Sequence, residues 1–286
     1  MNKRFYIAAT RLLLVAGVLA GCGQQTTPTV SAALHVTVSI LPQRYFVERV
    51  GGEYVTVNVM VEPGANPATY EPQPEQLRAL NLADVYFSIG VPFEDVWLER
   101  FASVNENLLL VDTTQGIERQ GDPEHPDPHI WLSPALVKVQ AQTIYETLSQ
   151  LDPAHQGAYR ANLESFLADI DALDADIRET LTGVENRKFM VFHPSWGYFA
   201  RDYGLEQLPV EVEGQEPSAA ELAALVARAK QEGIKVIFAQ PEFSTRSAET
   251  IAQEIGGEVL LISPLAPDWL DNLRRVAEVL AKRMNK

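Results

Sequence analysis

The chain has 286 residues, of which 46% are hydrophobic and 21% are charged, and its formal net charge is -15. This composition is typical of a globular protein with room for two ordinary domains, and it excludes the disordered and fibrous classes. A chain this acidic has no general attraction for nucleic acid or anionic lipid headgroups, so we expect no nucleic-acid partner. The negative net charge favours a cationic ligand over an anionic one.

The first 33 residues predict an export signal followed by a tether. Lys3 and Arg4 precede an apolar run at 12–20, which is shorter than the roughly 20 residues that a membrane-spanning helix requires. The run is followed by Cys22, the only cysteine, so no intramolecular disulfide can form. The segment resembles a bacterial lipoprotein signal, which implies cleavage after residues 1–21, lipidation of Cys22 and a flexible tether at 22–33.

Residues 34–152 predict alternating strands and helices. We expect strands at 34–40, 54–61, 85–89 and 108–111, and helices at 42–50, 74–82, 93–101 and from 133 onward. The polar, aperiodic stretch 112–127 predicts a mobile loop. Strands that alternate with helices predict a parallel sheet with helices on both faces.

A long amphipathic segment follows at 156–181. Its apolar residues recur every three or four positions, which predicts one unbroken helix of about 39 Å; they are Tyr159, Leu163, Phe166, Ile170, Leu173, Ile177 and Leu181.

The alternation then restarts at 184. We expect strands at 189–192, 209–212, 236–239 and 259–262, and helices at 195–203, 218–232, 247–255 and 269–284. The predicted fold is α/β, with two βα lobes (34–152 and 184–286) whose parallel sheets are joined by one long rigid helix within 153–183.

Two of the five histidines lie where open α/β sheets bind ligands, beyond the carboxyl ends of strands. His129 comes just before a predicted helix in the first lobe, and His193 directly follows a predicted strand in the second. A neutral imidazole on a rigid loop is a good zinc ligand, although each could also be a structural histidine. We interpret His35 and His155 as structural.

Two enzyme patterns fail on inspection. His125 and His129 are four positions apart as in a zinc-protease helix, but Pro126 and Pro128 forbid that helix. The segment around Ser195 has part of a nucleophile elbow, yet a glycine is missing and no acidic partner is identifiable by spacing. We therefore expect no catalytic residues and no enzyme activity.

Several motifs together carry a family resemblance: Asn66-Pro67-Ala68-Thr69-Tyr70-Glu71-Pro72, Asp127-Pro128-His129-Ile130-Trp131-Leu132, Phe192-His193 and Gly214-Gln215-Glu216-Pro217-Ser218. With the order of the lobes and the long helix, they resemble the zinc and manganese solute-binding lipoproteins of bacterial ABC importers. The resemblance implies one metal ion held between two lobes and handed to a membrane permease with a cytoplasmic ATPase. It also implies an extracytoplasmic protein, lipid-anchored to the membrane, which we expect to be a monomer.

The resemblance assigns the metal ligands position by position. His129 and His193 match the second and third family ligands, and a histidine at the third position resembles the zinc type more than the manganese type. Ala68 and Ser263 stand at the first and last ligand positions, where an alanine cannot ligate and a serine hydroxyl binds zinc poorly. The candidate substitutes or pocket-lining residues are His125, Gln240 and Glu242, together with Glu62 and Glu71.

The substitutions at Ala68 and Ser263 leave two alternatives open. One is a surface adhesin or scaffold that keeps the fold but binds metal weakly. The other is a receptor for an organic ligand or a metal chelate, for which the lost side chains would leave room.

Overall fold

Two parallel β-sheets flanked by helices form the part of the chain that the computed structural model describes, residues 33–212 and 214–284. The predicted signal peptide, Cys22 and all of the tether except Ala33 lie outside these residues. The strands are β1 Leu34–Val38, β2 Val55–Val59, β3 Val85–Ser88, β4 Leu109–Asp112, β5 Gly121–Asp122, β6 His125–Pro126, β7 Lys188–Val191, β8 Glu206–Pro209, β9 Val236–Ala239 and β10 Glu258–Leu261. The helices are α1 Leu41–Gly51, α2 Pro74–Leu80, α3 Pro92–Val104, α4 Pro134–Leu151, α5 Gln156–Thr180, α6 Gly197–Tyr203, α7 Ala219–Gln231, α8 Arg246–Ile255 and α9 Trp269–Met284.

The first sheet has the strand order β2-β1-β3-β4 and the second the order β10-β9-β7-β8, and all their pairings are parallel. In each sheet the first strand of the sequence has neighbours on both sides, which is the doubly wound arrangement that helices on both faces require. The predicted α/β fold class with parallel sheets is confirmed.

Helix α5 is the long helix that the apolar repeat predicted, and all seven of the apolar residues are buried. It packs against α1, α4 and α9. Phe166 of α5 contacts Phe46 of α1 and Trp269 of α9, with ring centroids 6.0 and 6.3 Å away. The side chains of this helix therefore join helices that flank different sheets.

One buried apolar cluster runs from the first sheet through α5 to the second sheet, and a smaller one lies under α7 and α8. Burial of these side chains is the main favourable term in folding. Within the described residues, no helix combines the length and apolarity that crossing a membrane would require.

The strand predicted at 209–212 is wrong by three residues, because β8 is Glu206–Pro209. Helix α6 ends at Gly204, whose φ of 67° is a left-handed conformation that glycine adopts without strain, and the chain turns at once into the strand. The ladder continues beyond β8, since the N–H groups of Val210 and Glu211 donate to the carbonyls of Val191 and Phe192 at 2.8 and 3.0 Å.

The stretch predicted as a loop at 112–127 contains a short hairpin formed by β5 and β6, which the prediction missed. Its pairing of only two residues on each side is too short to leave a periodic pattern in the sequence. Gly121, the first residue of β5, has a φ of 91°, a left-handed conformation that glycine adopts without strain.

Candidate metal site

His129 lies immediately before the first turn that leads into α4, and its backbone and ring are held by one carboxylate. The side chain of Asp127 accepts hydrogen bonds from the His129 backbone N–H at 2.9 Å and from ring Nδ1 at 2.7 Å. Tyr198 then fixes this loop, because its hydroxyl donates to the Asp127 carbonyl at 2.9 Å and accepts from the Gln120 N–H at 2.8 Å. The imidazole is therefore oriented from behind by a local turn and by a side chain of α6.

His193 follows β7 at the carboxyl end of the second sheet. The buried amide of Gln240, which follows the neighbouring strand β9, accepts from the His193 N–H at 3.1 Å and donates to the His193 carbonyl at 2.7 Å. The ring of Phe243 stacks on the imidazole with centroids 4.7 Å apart and an interplanar angle of 20°. Backbone and ring are thus both fixed by the segment after β9.

The Nδ1 atom of His193 faces a second carboxylate, that of Glu211, at 2.8 Å. Glu211 reaches this position because the ladder beyond β8 continues to Phe192, the residue that directly precedes His193. The Glu211 side chain is only 8% exposed.

The two histidines meet through their other ring nitrogens, with His129 Nε2 and His193 Nε2 3.3 Å apart. A ring nitrogen that faces a carboxylate carries the proton in a neutral imidazole, which leaves the lone pair on Nε2. Both lone pairs are therefore directed into the same small region. A carboxylate behind each imidazole is the support that metal-binding histidines usually have.

The spacing of these two nitrogens suits a tetrahedral zinc ion. Two Zn–N bonds of about 2.05 Å that meet at about 109° separate the nitrogens by about 3.3 Å. Burial lowers the pKa of His129, an effect that the hydrogen bond to Asp127 partly opposes, so the ring favours its neutral, ligating form.

A cavity of about 160 Å³ adjoins the two imidazoles. Most of its walls are apolar, and Trp131, Val91, Phe243 and Leu265 contribute to them. Glu242 supplies a carboxylate to the lining, and burial raises the pKa of that group. One of its oxygens, Oε2, is buried without a hydrogen-bond partner.

The other residues considered from the sequence have different positions. Ala68 lines the cavity and is exposed, whereas Ser263 lies outside the lining and contacts Glu242 at 3.5 Å. Gln240 holds the backbone of His193 and does not line the cavity. His125 is exposed in the β5–β6 hairpin and also lies outside the lining.

The remaining acidic and histidine residues lie outside the cavity lining as well. Glu62 and Glu71 are both exposed. His155 bonds to Asp152 and stacks on Tyr54 at 3.9 Å, and His35 is exposed in β1. Across 33–212 and 214–284, no group of three or more His, Cys, Asp or Glu side chains is arranged to hold a metal ion.

Two residues of the site escaped the sequence analysis. Asp127 belongs to the same motif as His129, and its position two residues before the histidine is the signal for an Asp turn. The sequence does not reveal the role of Glu211, because its contact depends on which strand lies beside β7 and on the register of β8.

Comparison with known proteins decides the family. The model of the family described as ZnuA, zinc-uptake complex component A, periplasmic, matches residues 36–283. The chain belongs to the ZnuA family. This is a family of solute-binding transport proteins, and the resemblance to metal-binding proteins of ABC importers is confirmed.

Individual ZnuA relatives match over most of the chain. The high-affinity zinc uptake system protein ZnuA of Bacillus subtilis is 30% identical over 91% of this chain and 87% of its own length. A crystal structure of ZnuA superposes with a TM-score of 0.86 at 49% identity, over 88% of this chain and 99% of that one. The laminin-binding protein Lmb of Streptococcus agalactiae, described as having adhesin and metal transporting activity, gives a TM-score of 0.80 at 25% identity, over 88% and 99%.

Proposed function

We propose that this chain is an extracytoplasmic zinc receptor that binds the ion and delivers it to the permease of an ABC importer. The observation that carries the proposal is the 3.3 Å separation of His129 Nε2 and His193 Nε2, with a carboxylate behind each ring. The zinc uptake named for the relative from Bacillus subtilis and in the description of the family supports the same metal and the same process.

The chemistry of the donors favours zinc over manganese. Imidazole nitrogens suit zinc, whereas manganese prefers carboxylate and carbonyl oxygens. The two nitrogens are the donors that this site offers with fixed geometry, and zinc is therefore the proposed cargo.

The protein acts in this proposal by binding and release, without catalysis. Its cellular position rests on the sequence: lipidation of Cys22 would hold a monomer at the membrane through the tether that ends at 33. The boundaries 34–152, 153–183 and 184–286 are proposed as two lobes and their linking segment.

The test is calorimetric titration of zinc into the chain from Gln24 onward after chelator treatment. We expect one zinc ion per chain in the native protein and loss of this binding in His129→Ala and in His193→Ala. His35→Ala removes an exposed histidine outside the site and is the matched control, which should bind like the native chain. Equal zinc binding by the native chain and both site variants would contradict the proposal.

A second candidate function is adhesion, favoured by the similarity to Lmb. It is tested by surface plasmon resonance of the same chain on immobilised laminin, with serum albumin as the reference surface. Saturable binding to laminin alone would support it, and equal responses on both surfaces would exclude it.

A further inference from the structure

The space beside the two imidazoles exceeds what a zinc ion and a water molecule need. The cavity measures about 160 Å³, whereas a water molecule occupies about 30 Å³ of liquid. An apolar protein cavity of about 150 Å³ is large enough to bind benzene. A five-membered ring such as imidazole is smaller than benzene, so it fits this volume.

The protein offers the zinc ion fewer donors than a tetrahedral site uses. His129 and His193 supply two, and the Glu242 carboxylate in the same lining can bring the number to three, whereas zinc in closed sites has four. Ala68 contributes only a methyl group to the cavity lining, and Ser263 Oγ accepts a hydrogen bond from the Leu265 N–H at 3.1 Å outside that lining. At least one coordination position therefore opens onto the cavity, and the exposure of Ala68 gives that cavity access to solvent.

The charges around the site select the kind of donor that can enter. The carboxylates of Asp127 and Glu211 already balance the two positive charges of a zinc ion bound by neutral imidazoles. Glu242 adds a further carboxyl group to the same cavity. These carboxylates would repel an anionic ligand, whereas a neutral nitrogen donor adds no charge and is not repelled.

The walls match the flat, apolar faces of such a donor. Val91 and Leu265 are buried, and Pro67 and Phe243 are partly buried in the same lining. A heteroaromatic ring can contact these side chains with its carbon atoms while its nitrogen points to the metal.

Building on the proposed zinc site, we propose that the cavity beside Ala68 takes a small neutral imidazole-type ligand from solution, which completes the coordination of zinc. The protein then binds a mixed complex in which two imidazoles belong to the chain and one comes from solution. Either free histidine-like molecules or the histidine of a short peptide would supply the same ring.

The test measures zinc affinity by competition with a chromophoric chelator at increasing imidazole concentration. Imidazole in solution also binds zinc, so by itself it lowers the apparent affinity of any zinc protein. In the native chain we expect the affinity to rise by roughly tenfold or more, because imidazole adds a zinc–nitrogen bond and groups that merely support a ligand already change metal affinity by that factor. In Ala68→His, which carries its own ring at this position, imidazole only competes and the affinity falls.

Two further variants sharpen the comparison, each measured against its own affinity without imidazole. Ala68→Leu fills the cavity without adding a donor, so the gain should disappear. His125→Ala removes the exposed histidine of the β5–β6 hairpin and should keep the gain at its native size. A gain that appears only in this variant would overturn the inference, because the third ring of the native site would then come from the chain.

Cobalt(II) provides a direct readout of the ligands. Imidazole should change the visible absorption of the cobalt-loaded native chain but leave that of Ala68→His unchanged. Repeating the titration with free histidine and with glycyl-histidyl-glycine distinguishes a small molecule from a peptide as the source. If imidazole weakens zinc binding equally in the native chain and in Ala68→His, the inference fails while the zinc site stands; if neither binds zinc, the proposed function fails.

Discussion

Asp127 and Glu211 give the two imidazoles both their orientation and their electronic character. Asp127 accepts from His129 Nδ1 at 2.7 Å and Glu211 from His193 Nδ1 at 2.8 Å, which directs each Nε2 lone pair toward the proposed zinc position and makes it more basic. The carboxylates also supply the negative charge that offsets the cation. They should therefore matter for affinity without touching the ion.

Replacing either carboxylate by its amide tests this role. Asp127→Asn and Glu211→Gln keep the size and an accepting oxygen but lose the charge, so we expect zinc affinity to fall roughly tenfold to hundredfold in each. Competition with a chelator gives the affinities. Glu124→Gln replaces an exposed carboxylate in the turn of the β5–β6 hairpin. It is the control, and its zinc affinity should be unchanged. Native affinity in both site variants would show that the histidines need no such support.

Gln240 holds the backbone of His193 through hydrogen bonds that require an amide side chain. Its amide oxygen accepts from the His193 N–H, and its Nε2 donates to the His193 carbonyl and to Ser195 Oγ at 2.7 and 3.1 Å. An amide can do both, whereas a carboxylate cannot donate and a hydrocarbon can do neither.

Gln240→Leu should lower the free energy of unfolding by about 1–3 kcal/mol per buried group left unpaired. It should also weaken zinc binding, because the backbone of His193 is released. Urea denaturation and calorimetry measure the two effects. Gln142→Leu replaces an exposed glutamine of α4 and should leave zinc affinity unchanged. Unaltered stability and zinc affinity in Gln240→Leu would show that Gln240 neither stabilises the fold nor positions His193.

At the scale of elements, the first turn of α3 contains a buried acid that shapes one wall of the cavity. Glu94 accepts from the N–H groups of Ile89 and Gly90 at 3.0 and 2.7 Å, and from the hydroxyl of Ser39. Burial raises its pKa to about 7, against an ordinary value of 4.5. The segment that it holds leads into Val91, which lines the cavity.

The raised pKa of Glu94 predicts a stability that depends on pH. Well below pH 4.5 the Glu94 carboxyl is protonated in both the folded and the unfolded chain. Between about pH 4.5 and pH 7 only the unfolded chain loses this proton. The contribution of Glu94 to the free energy of unfolding should therefore fall by about 3 kcal/mol over this interval, at about 1.4 kcal/mol per pH unit.

Urea denaturation between pH 4.5 and 8 gives the free energy of unfolding at each pH, and the effect is read as the difference between the native chain and a Glu94 variant. Glu94→Gln cannot titrate and should lack this fall, whereas Glu99→Gln on the exposed side of α3 should retain it. Parallel curves for the native chain and Glu94→Gln would show that Glu94 titrates as it does in the unfolded chain.

At the scale of the whole molecule, zinc should stabilise the fold because its proposed ligands, His129 and His193, are brought together only by the tertiary structure. A ligand at 100 times its Kd adds about 2.7 kcal/mol, which for a chain of this size raises the Tm by roughly 5 to 10 °C. Thermal denaturation followed by circular dichroism measures the shift. His129→Ala should show none, and His35→Ala should show the full shift; an equal shift in His129→Ala would point to metal bound elsewhere.

The packing of α5 predicts small motions between the two sheets. Phe46, Phe166 and Trp269 interlock around this helix, and Trp131 Nε1 donates to the Pro264 carbonyl at 2.8 Å beside the cavity. Wide closure would have to break these contacts. X-ray scattering should therefore give the same radius of gyration with chelator and with zinc, about 18 Å for a compact body of the size of the described residues. A clear fall on adding zinc would contradict a rigid linking helix.

The amino-acid sequence by itself determined the elements whose signals are local. The apolar repeat predicted α5, and the helix predicted from residue 218 onward begins with reciprocal hydrogen bonds between Ser218 and Glu221. Strand and helix alternation was enough for two parallel sheets, because the period of the pattern decides the element type. The histidines adjoining the cavity were also identified, since they follow the predictable ends of elements.

Only the tertiary structure decided which side chains meet. The contact of Glu211 with His193 depends on strand register, and the 3.3 Å approach of His193 to His129 joins residues 64 positions apart. The cavity beside Ala68 likewise arises from segments that are distant along the chain. Local sequence fixes backbone conformation through short-range sterics and hydrogen bonds, whereas distances across a site depend on how packed elements are oriented, which no short pattern encodes.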